Sequence, residues 1–358
     1  MSLGRKFDGP GRAAPGILAA MTVVTPYEPT DEAAVDEAHR IVAAAQAVDL
    51  PDIPAPDRAE FGLDVAHPPH GNQVVRALAR QDGVAVGHVW IRMPQLDNTE
   101  NASGELVVDP AHRRRGVGRA LLAYARRVAL DHGRRRLISS TVGALPGGPA
   151  RSTAGAAFAA AVGAQAALAE VRRRQDVTAL DRAALAALEA EARARSSGYR
   201  TVTFHGAVPE EYVADVARLE SRLIGDAPMG DLIVEAEKVD GERLRQIERI
   251  RAARRRRQYH AGAVHEPSGR LVAWTMIDLG PSETWHAWQE ITIVDPDHRG
   301  HRLGLLVKVE NLRYVLAHEP ALRAIDTWNA AANDHMVSIN AQLGYQPVDA
   351  WTDWQLTI

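Results

Sequence analysis

A chain of 358 residues, 46% hydrophobic and 24% charged, is too long for one typical domain and has the balance of an ordinary globular protein. Its formal net charge of −3 gives no electrostatic ground for nucleic acid or a membrane surface as the main partner. The absence of cysteine rules out disulfides, zinc-thiolate sites, iron–sulfur clusters and thiol nucleophiles. The 14 histidines include no HExxH or other pair at ligand spacing, so no metal is expected.

Residues 1–17 read as a disordered arm rich in Gly, Pro and Arg, without the continuous apolar region of a secretory signal. No run of about 18 apolar residues is present for a membrane-spanning helix, and the cytoplasm is the expected compartment. A first domain is expected over 18–180. Within it, Asp82-Gly83 is a turn ahead of the apolar strand Val84–Ile91. A further strand, Leu106-Val107-Val108, leads into Val108-Asp109-Pro110-Ala111-His112-Arg113. The run Arg113-Arg114-Arg115-Gly116-Val117-Gly118 then opens a helix to about Asp131, with Gly133 suited to its C-terminal stop. Residues 181–198, rich in Ala, Glu and Arg until Ser196-Ser197-Gly198, read as a helical linker.

The second domain, expected over 199–358, repeats the first. Val294-Asp295-Pro296-Asp297-His298-Arg299 answers the first motif at an offset of 186, and Ser268-Gly269, followed by the strand Leu271–Ile277, answers Asp82-Gly83 at the same offset. Leu305, Val309, Leu312 and Leu316 then mark one face of a helix that Pro320 ends.

The strand, Arg/Gly loop and helix together predict an anion cradle. Unpaired N–H groups of a helix's first turn carry partial positive charge, glycines let backbone approach a ligand, and arginines add charge-assisted hydrogen bonds. No GK[ST] follows, which excludes an NTPase loop, and no acidic residue completes a dinucleotide fingerprint. Arg-x-x-Gly-x-Gly after a Val-Asp-Pro strand resembles motif A of the GNAT superfamily of N-acetyltransferases. The second copy, Arg299-Gly300-His301-Arg302-Leu303-Gly304, departs from it by placing Arg302 at the first glycine. A later signature resembles Asn340-Ala341-Gln342-Leu343-Gly344-Tyr345 and, more weakly, Phe158–Gly163. The tandem arrangement is similar to mycothiol synthase and other two-domain actinobacterial acetyltransferases.

The resemblance implies two tandem α/β domains, each with a largely antiparallel mixed sheet that splays where its fourth and fifth strands run parallel. It implies acetyl-CoA as co-substrate, without metal, and N-acetylation of a small-molecule primary amine by direct attack. The alternative is a non-catalytic acyl-CoA-binding or regulatory protein. The implied cofactor-binding residues are Val107, Val108 and Arg113, Arg114, Arg115, Gly116, Val117 and Gly118 in the first half. In the second they are Ile293, Val294, Arg299, Gly300, His301, Arg302, Leu303 and Gly304. Asn329 and Asn333 read either as an Asx turn and a helix N-cap or, by the resemblance, as partners of the pantetheine amides.

Deprotonating the attacking amine requires a base. Glu290, on the strand before the second loop, is the expected base. Glu105 lies one step out of phase with it and, by strand alternation, should face the other side. The family's usual acid is a tyrosine four residues before the late glycine. Asn340 and Ala159 stand there, so Asn340 is the catalytic residue carried over and the acid is unassigned. The second domain is therefore expected to be the catalytic one. Asp226 and Asp231 border a loop that either caps the acceptor site or is plain surface. Arg254–Arg257 reads as a solvated helix end or a contact for the CoA 3′-phosphate. The acceptor and the oligomeric state are not legible.

Overall fold

The computed structural model describes residues 21–55 and 57–358. The arm expected over 1–17 lies outside the described residues.

In the first half β1 (Val23–Pro26), α1 (Glu32–Asp49) and α2 (Arg58–Ala66) precede the meander β2 (Asn72–Gln81), β3 (Val84–Pro94) and β4 (Asn101–Val108). Then come α3 (Val117–Asp131), β5 (Arg136–Ala144), α4 (Ala154–Ala161) and β6 (Gln165–Asp176). The helix α5 (Arg182–Arg195) leads to β7 (Tyr199–His205), α6 (Val213–Ser221), α7 (Leu223–Asp226) and α8 (Gly241–Ala253). A second meander follows, β8 (Arg257–His265), β9 (Leu271–Leu279) and β10 (His286–Val294). It is succeeded by α9 (Leu303–His318), β11 (Ala324–Ala330), α10 (Asp334–Gln342) and β12 (Gln346–Thr357). Among the described residues no helix is long and apolar enough to cross a membrane.

The twelve strands of the described residues form one sheet in the order β1-β2-β3-β4-β5-β12-β6-β11-β10-β9-β8-β7. The mixed α/β architecture is the one the sequence implies, but the last strand of each half is exchanged. β12 pairs with β5 and β6, and β6 pairs with β11. The repeats therefore meet across β6 and β12.

Helices cover the sheet in proportion to their apolar faces. α3 buries Val117, Leu121, Tyr124, Ala125, Val128 and Ala129 against β2 and β3 residues. At roughly 1.5–3 kcal/mol for each fully buried large apolar side chain, such a face outweighs helix propensity in fixing the element. α9 is buried nearly all round, because α5 covers its outer side through Leu185, Leu188 and Ala192. The segment expected as a linker is thus packed into the second half's core.

Arg254–Arg257 is not a solvated helix end. The helix stops at Ala253 and Arg255 turns the chain with φ 56. Arg254 pairs with Asp64 at 3.3 Å, Arg256 with Glu60 at 3.2 Å and with Asp278, and Arg257 with Glu319 at 2.7 Å. Opposite charges on α2, β9 and the end of α9 draw the run inward.

Candidate active site

In each half the fourth and fifth strands run parallel for three residue pairs and then part. β4 and β5 pair over Asn101–Ser103, and β10 and β11 over His286–Trp288. Beyond these points the facing edges have no strand partner, and in the second half the opening is a cavity of about 790 Å³.

One side of this cavity is Glu290–Val294 of β10 and the other is Thr327–Ala330 of β11. At one end lie Arg299, Gly300, Arg302, Leu303 and Gly304 of the loop, and Leu305 and Lys308 of α9 also line the cavity. The other end receives Glu220 from α6, Arg251 from α8 and, across the exchange, Leu168 and Glu170 of β6 and Asp353 of β12. The segment Asp226–Met229 completes the wall. Gly230 seats it: with φ 55, a Cβ there would stand 2.2 Å from the Ala167 carbonyl oxygen, and Asp231 N donates to that oxygen at 2.8 Å. Asp226 is no free carboxylate, since it accepts from Arg222 at 3.1 Å and Arg299 at 2.9 Å, tying the segment to the loop.

The loop has the same backbone in both halves. Arg114 and Gly116 take φ 64 and 86, and Gly300 and Arg302 take φ 86 and 59. Alternating left-handed residues turn successive N–H groups toward one concavity, a geometry that suits anions. Arg302 thus adopts the left-handed conformation that Gly116 holds without strain, and it is fastened by Glu191 and by Gln342 at 3.4 Å. Arg113 is spent on Asp49, in a fork of 2.9 and 2.6 Å. Arg115, His301, Gly300 and Arg299 are exposed, whereas Val107, Val117 and Leu303 are buried. Val108, Ile293 and Val294 continue from these loops back into the sheet.

Glu290 lies in a β-bulge. Gln289 pairs with Ile277 and Thr292 with Thr275, so Glu290 and Ile291 share the place opposite Met276. In β4 the register is unbroken, and Glu105 alone stands opposite Trp90. Counted from the start of the strands, Glu290 is therefore the counterpart of Glu105. The alternation that would set them on opposite faces fails because the bulge inserts one residue. The bulge is held by Gln289, whose Nε2 donates to Met276 O at 2.9 Å, Thr275 Oγ1 at 3.0 Å and Ile291 O at 3.2 Å. Thr327 Oγ1 donates to the Gln289 carbonyl at 3.0 Å from the other strand.

Glu290 keeps an exposed surface on the cavity that it lines, while the protein crowded around it partly desolvates the carboxyl. Burial pushes its carboxyl above the ordinary range, and the neighbouring Asp278 and Glu220 add to the rise against Arg251 and Arg256. Burial also raises Glu220. Glu170 is pushed up to about 7 by burial and then by Asp353. Glu105 is likewise raised by burial, though Trp90 Nε1 donates to it at 3.4 Å.

Asn329 and Asn333 both line the cavity. Asn333 also caps α10, accepting from Met336 N at 3.2 Å. Asn340 is fully buried behind the wall, where its Nδ2 donates to Asn329 Oδ1 at 2.7 Å. Gln289, Glu170, Glu220 and Lys308 are site residues that the sequence reading missed. Only Lys308 left a local signal, as a charge within the apolar run Leu305–Val309.

The Acetyltransferase (GNAT) family matches residues 35–146. A mycothiol acetyltransferase of Geodermatophilus obscurus is 35% identical over 114 residues, 32% of this chain and 35% of that protein, so the match spans about a third of the relative's length. A solved structure of a tandem GNAT protein from the clavulanic acid biosynthesis pathway, without AcCoA, is 32% identical over 94% of this chain and 98% of its own, with a TM-score of 0.80. A GCN5-related N-acetyltransferase from Sphaerobacter thermophilus shares the fold at 16% identity and a TM-score of 0.61, over 94% and 95% of the two chains. With its two splayed repeats and their paired loops, the chain belongs to the GNAT acetyltransferase family in its tandem form.

Proposed function

We propose that the second half moves an acetyl group from acetyl-CoA to the primary amine of a small molecule. The observation that carries this reading is convergence. One cavity holds an anion-suited loop at one end, an opened strand edge along its side and the Glu290 carboxylate facing in. In this reading the repeats cover 18–180 and 199–358, with 181–198 between them.

The diphosphate would rest on the N–H groups of Gly300 to Gly304, near Arg299. The pantetheine arm would lie along β10, with Asn329 and Asn333 as side-chain partners for its amides. Asn340 acts through Asn329, which it holds in place. The N–H groups of β10 beyond Trp288, unpaired on the β11 side, are donors for the oxyanion that forms at the thioester carbonyl. Glu290 takes the proton from the attacking amine. A carboxylate raised by burial is a better base than an exposed one, because its conjugate acid is weaker. No bond to the protein forms at any step. The first half has the same loop backbone, but its fourth strand carries no bulge at Glu105, which favours a scaffolding role for it.

The test is CoA release from acetyl-CoA with a panel of small amines, on wild type and E290Q. Release should require an amine and fall by about 10²-fold or more in the variant. Binding of acetyl-CoA without release for any amine would instead favour a non-catalytic acyl-CoA-binding protein.

A further inference from the structure

Three of the 42 Lys and Arg residues are lysines: Lys6, Lys238 and Lys308. Among the described residues the ion pairs are made by arginine and, in two cases, by histidine, so the placement of a lysine is informative. Lys308 stands on α9, four residues beyond Gly304, and lines the cavity while only 2% exposed. No hydrogen bond or ion pair from the described residues reaches its Nζ, which stands 5.2 Å from the centroid of the Tyr345 ring. Glu170, Glu220, Glu290, Asp353, Arg251 and Arg302 share the cavity wall, and Asp326 lies near Tyr345. None of these forms an ion pair with Lys308. Burial alone lowers its pKa to about 7. An arginine there would stay charged throughout the physiological range and could not release a proton.

We propose that Lys308 is the proton donor to the departing thiolate, the acid for which neither Asn340 nor Ala159 has the chemistry. The assignment rests on the acyl-transfer reading of this cavity. In the step, the amine nitrogen bonds to the thioester carbonyl carbon and loses its proton to the Glu290 carboxylate. The C–S bond breaks with its electron pair on sulfur, and the sulfur takes a proton from the Lys308 ammonium. Amide and free thiol leave a neutral lysine and a protonated glutamate, which exchange protons with water in the cavity to restore the starting state. An anionic ligand entering the same cavity favours the ammonium, so the loaded site holds the proton that the empty one readily gives up.

With so few lysines, full-length protein labelled at lysine Cε and Nζ is simple to read by NMR. The resonance missing from K308M should titrate near neutrality in wild type, and acetyl-CoA should move that midpoint up by at least about one unit. Binding is followed separately by calorimetry. With a responsive amine, K308M should lose about 10²-fold in kcat, keep KM within about threefold, and lose the fall of kcat at high pH. K308R, a fixed cation, should bind acetyl-CoA as wild type does without recovering the rate. A Lys308 signal at the ordinary lysine position, or one unmoved while acetyl-CoA binds, overturns the assignment alone, and so does full kcat in K308M. Absence of acetyl-CoA binding overturns the acyl-transfer reading and this assignment with it.

Discussion

Glu290 is set by its neighbour in sequence. The Gln289 side chain fills the hydrogen-bonding positions that the bulge takes from the ladder, and it is buried while doing so. Q289L would keep the volume and remove the donor, leaving the Met276 and Ile291 carbonyls with one fewer partner and the bulge free to regularise. A displacement of the order of 1 Å at a reacting group can cost about 10²-fold. Q289L is therefore expected to lose kcat on that scale while binding acetyl-CoA as wild type does, a split that single-turnover kinetics and calorimetry would resolve. The pH profile belongs to the same residues. Burial raises the Glu290 carboxyl, so the base form and the rate should appear on an ascending limb above the ordinary carboxylate range of about 4.3. That limb should be absent from the residual activity of E290Q.

Among the elements, the two loops pose a controlled comparison. The same left-handed backbone is built on Gly116 in one half and Arg302 in the other. A non-glycine residue there costs roughly 1–2 kcal/mol, and the exposed ion pair to Glu191 returns at most about 1 kcal/mol. R302G should therefore unfold at an equal or higher urea concentration than wild type. A clear drop would mean that the Arg302 side chain contributes more than its visible partners account for. The loops, both hairpin turns, the α3 boundary and the repeat were legible because each is written in adjacent residues: Asp82-Gly83, Gly133, and Val-Asp-Pro at a fixed offset. The bulge was not, since one inserted residue at Ile291 leaves the offset of 186 intact downstream and shortens it to 185 over the preceding residues of β10 alone, where nothing in the letters marks the change. Lys308 was passed over because Leu305, Val309, Leu312 and Leu316 made an adequate helix face without it. The partners of Arg254, Arg256 and Arg257 lie on distant elements, and no local pattern names them.

At the level of the whole molecule, the exchange of β6 and β12 is locked by buried charge. Arg172 of β6 is inaccessible to solvent. It donates to both oxygens of Asp349 on β12 at 2.9 and 2.6 Å, to Asp326 on β11 at 2.7 Å and to Asp52 at 2.8 Å. Arg151 and Arg174 join the same carboxylates. Removing one partner strands the others in a dry interior, so R172M is expected to lose about 3–5 kcal/mol in urea unfolding at pH 7. Burial alone would raise Asp326 and Asp52. The hydrogen bonds from Arg174 to the one, with His286 Nε2 3.1 Å away, and from Arg172 and Arg151 to the other, outweigh it and hold both below the ordinary value. A depressed carboxyl stabilises the fold above its unfolded pKa of about 3.9 and ceases to as the pH falls through the folded one. The gap between wild type and R172M should therefore shrink in acid, and a gap equally wide at pH 7 and in strong acid would show that packing, not charge, makes the lock.

The exchange also bears on what a single repeat is. In this chain the outer edge of each fifth strand, β5 or β11, is occupied by the last strand of the other repeat, so a separated repeat would lose the pairing seen here. Two separate copies would have to intertwine to restore it, an encounter whose frequency depends on protein concentration. Joined through α5, the copies meet at a fixed effective concentration, in the millimolar range for short connections. In this chain dilution cannot part the two repeats, and the cavity wall that β6 lends to the second half is supplied in equal number with every site it completes.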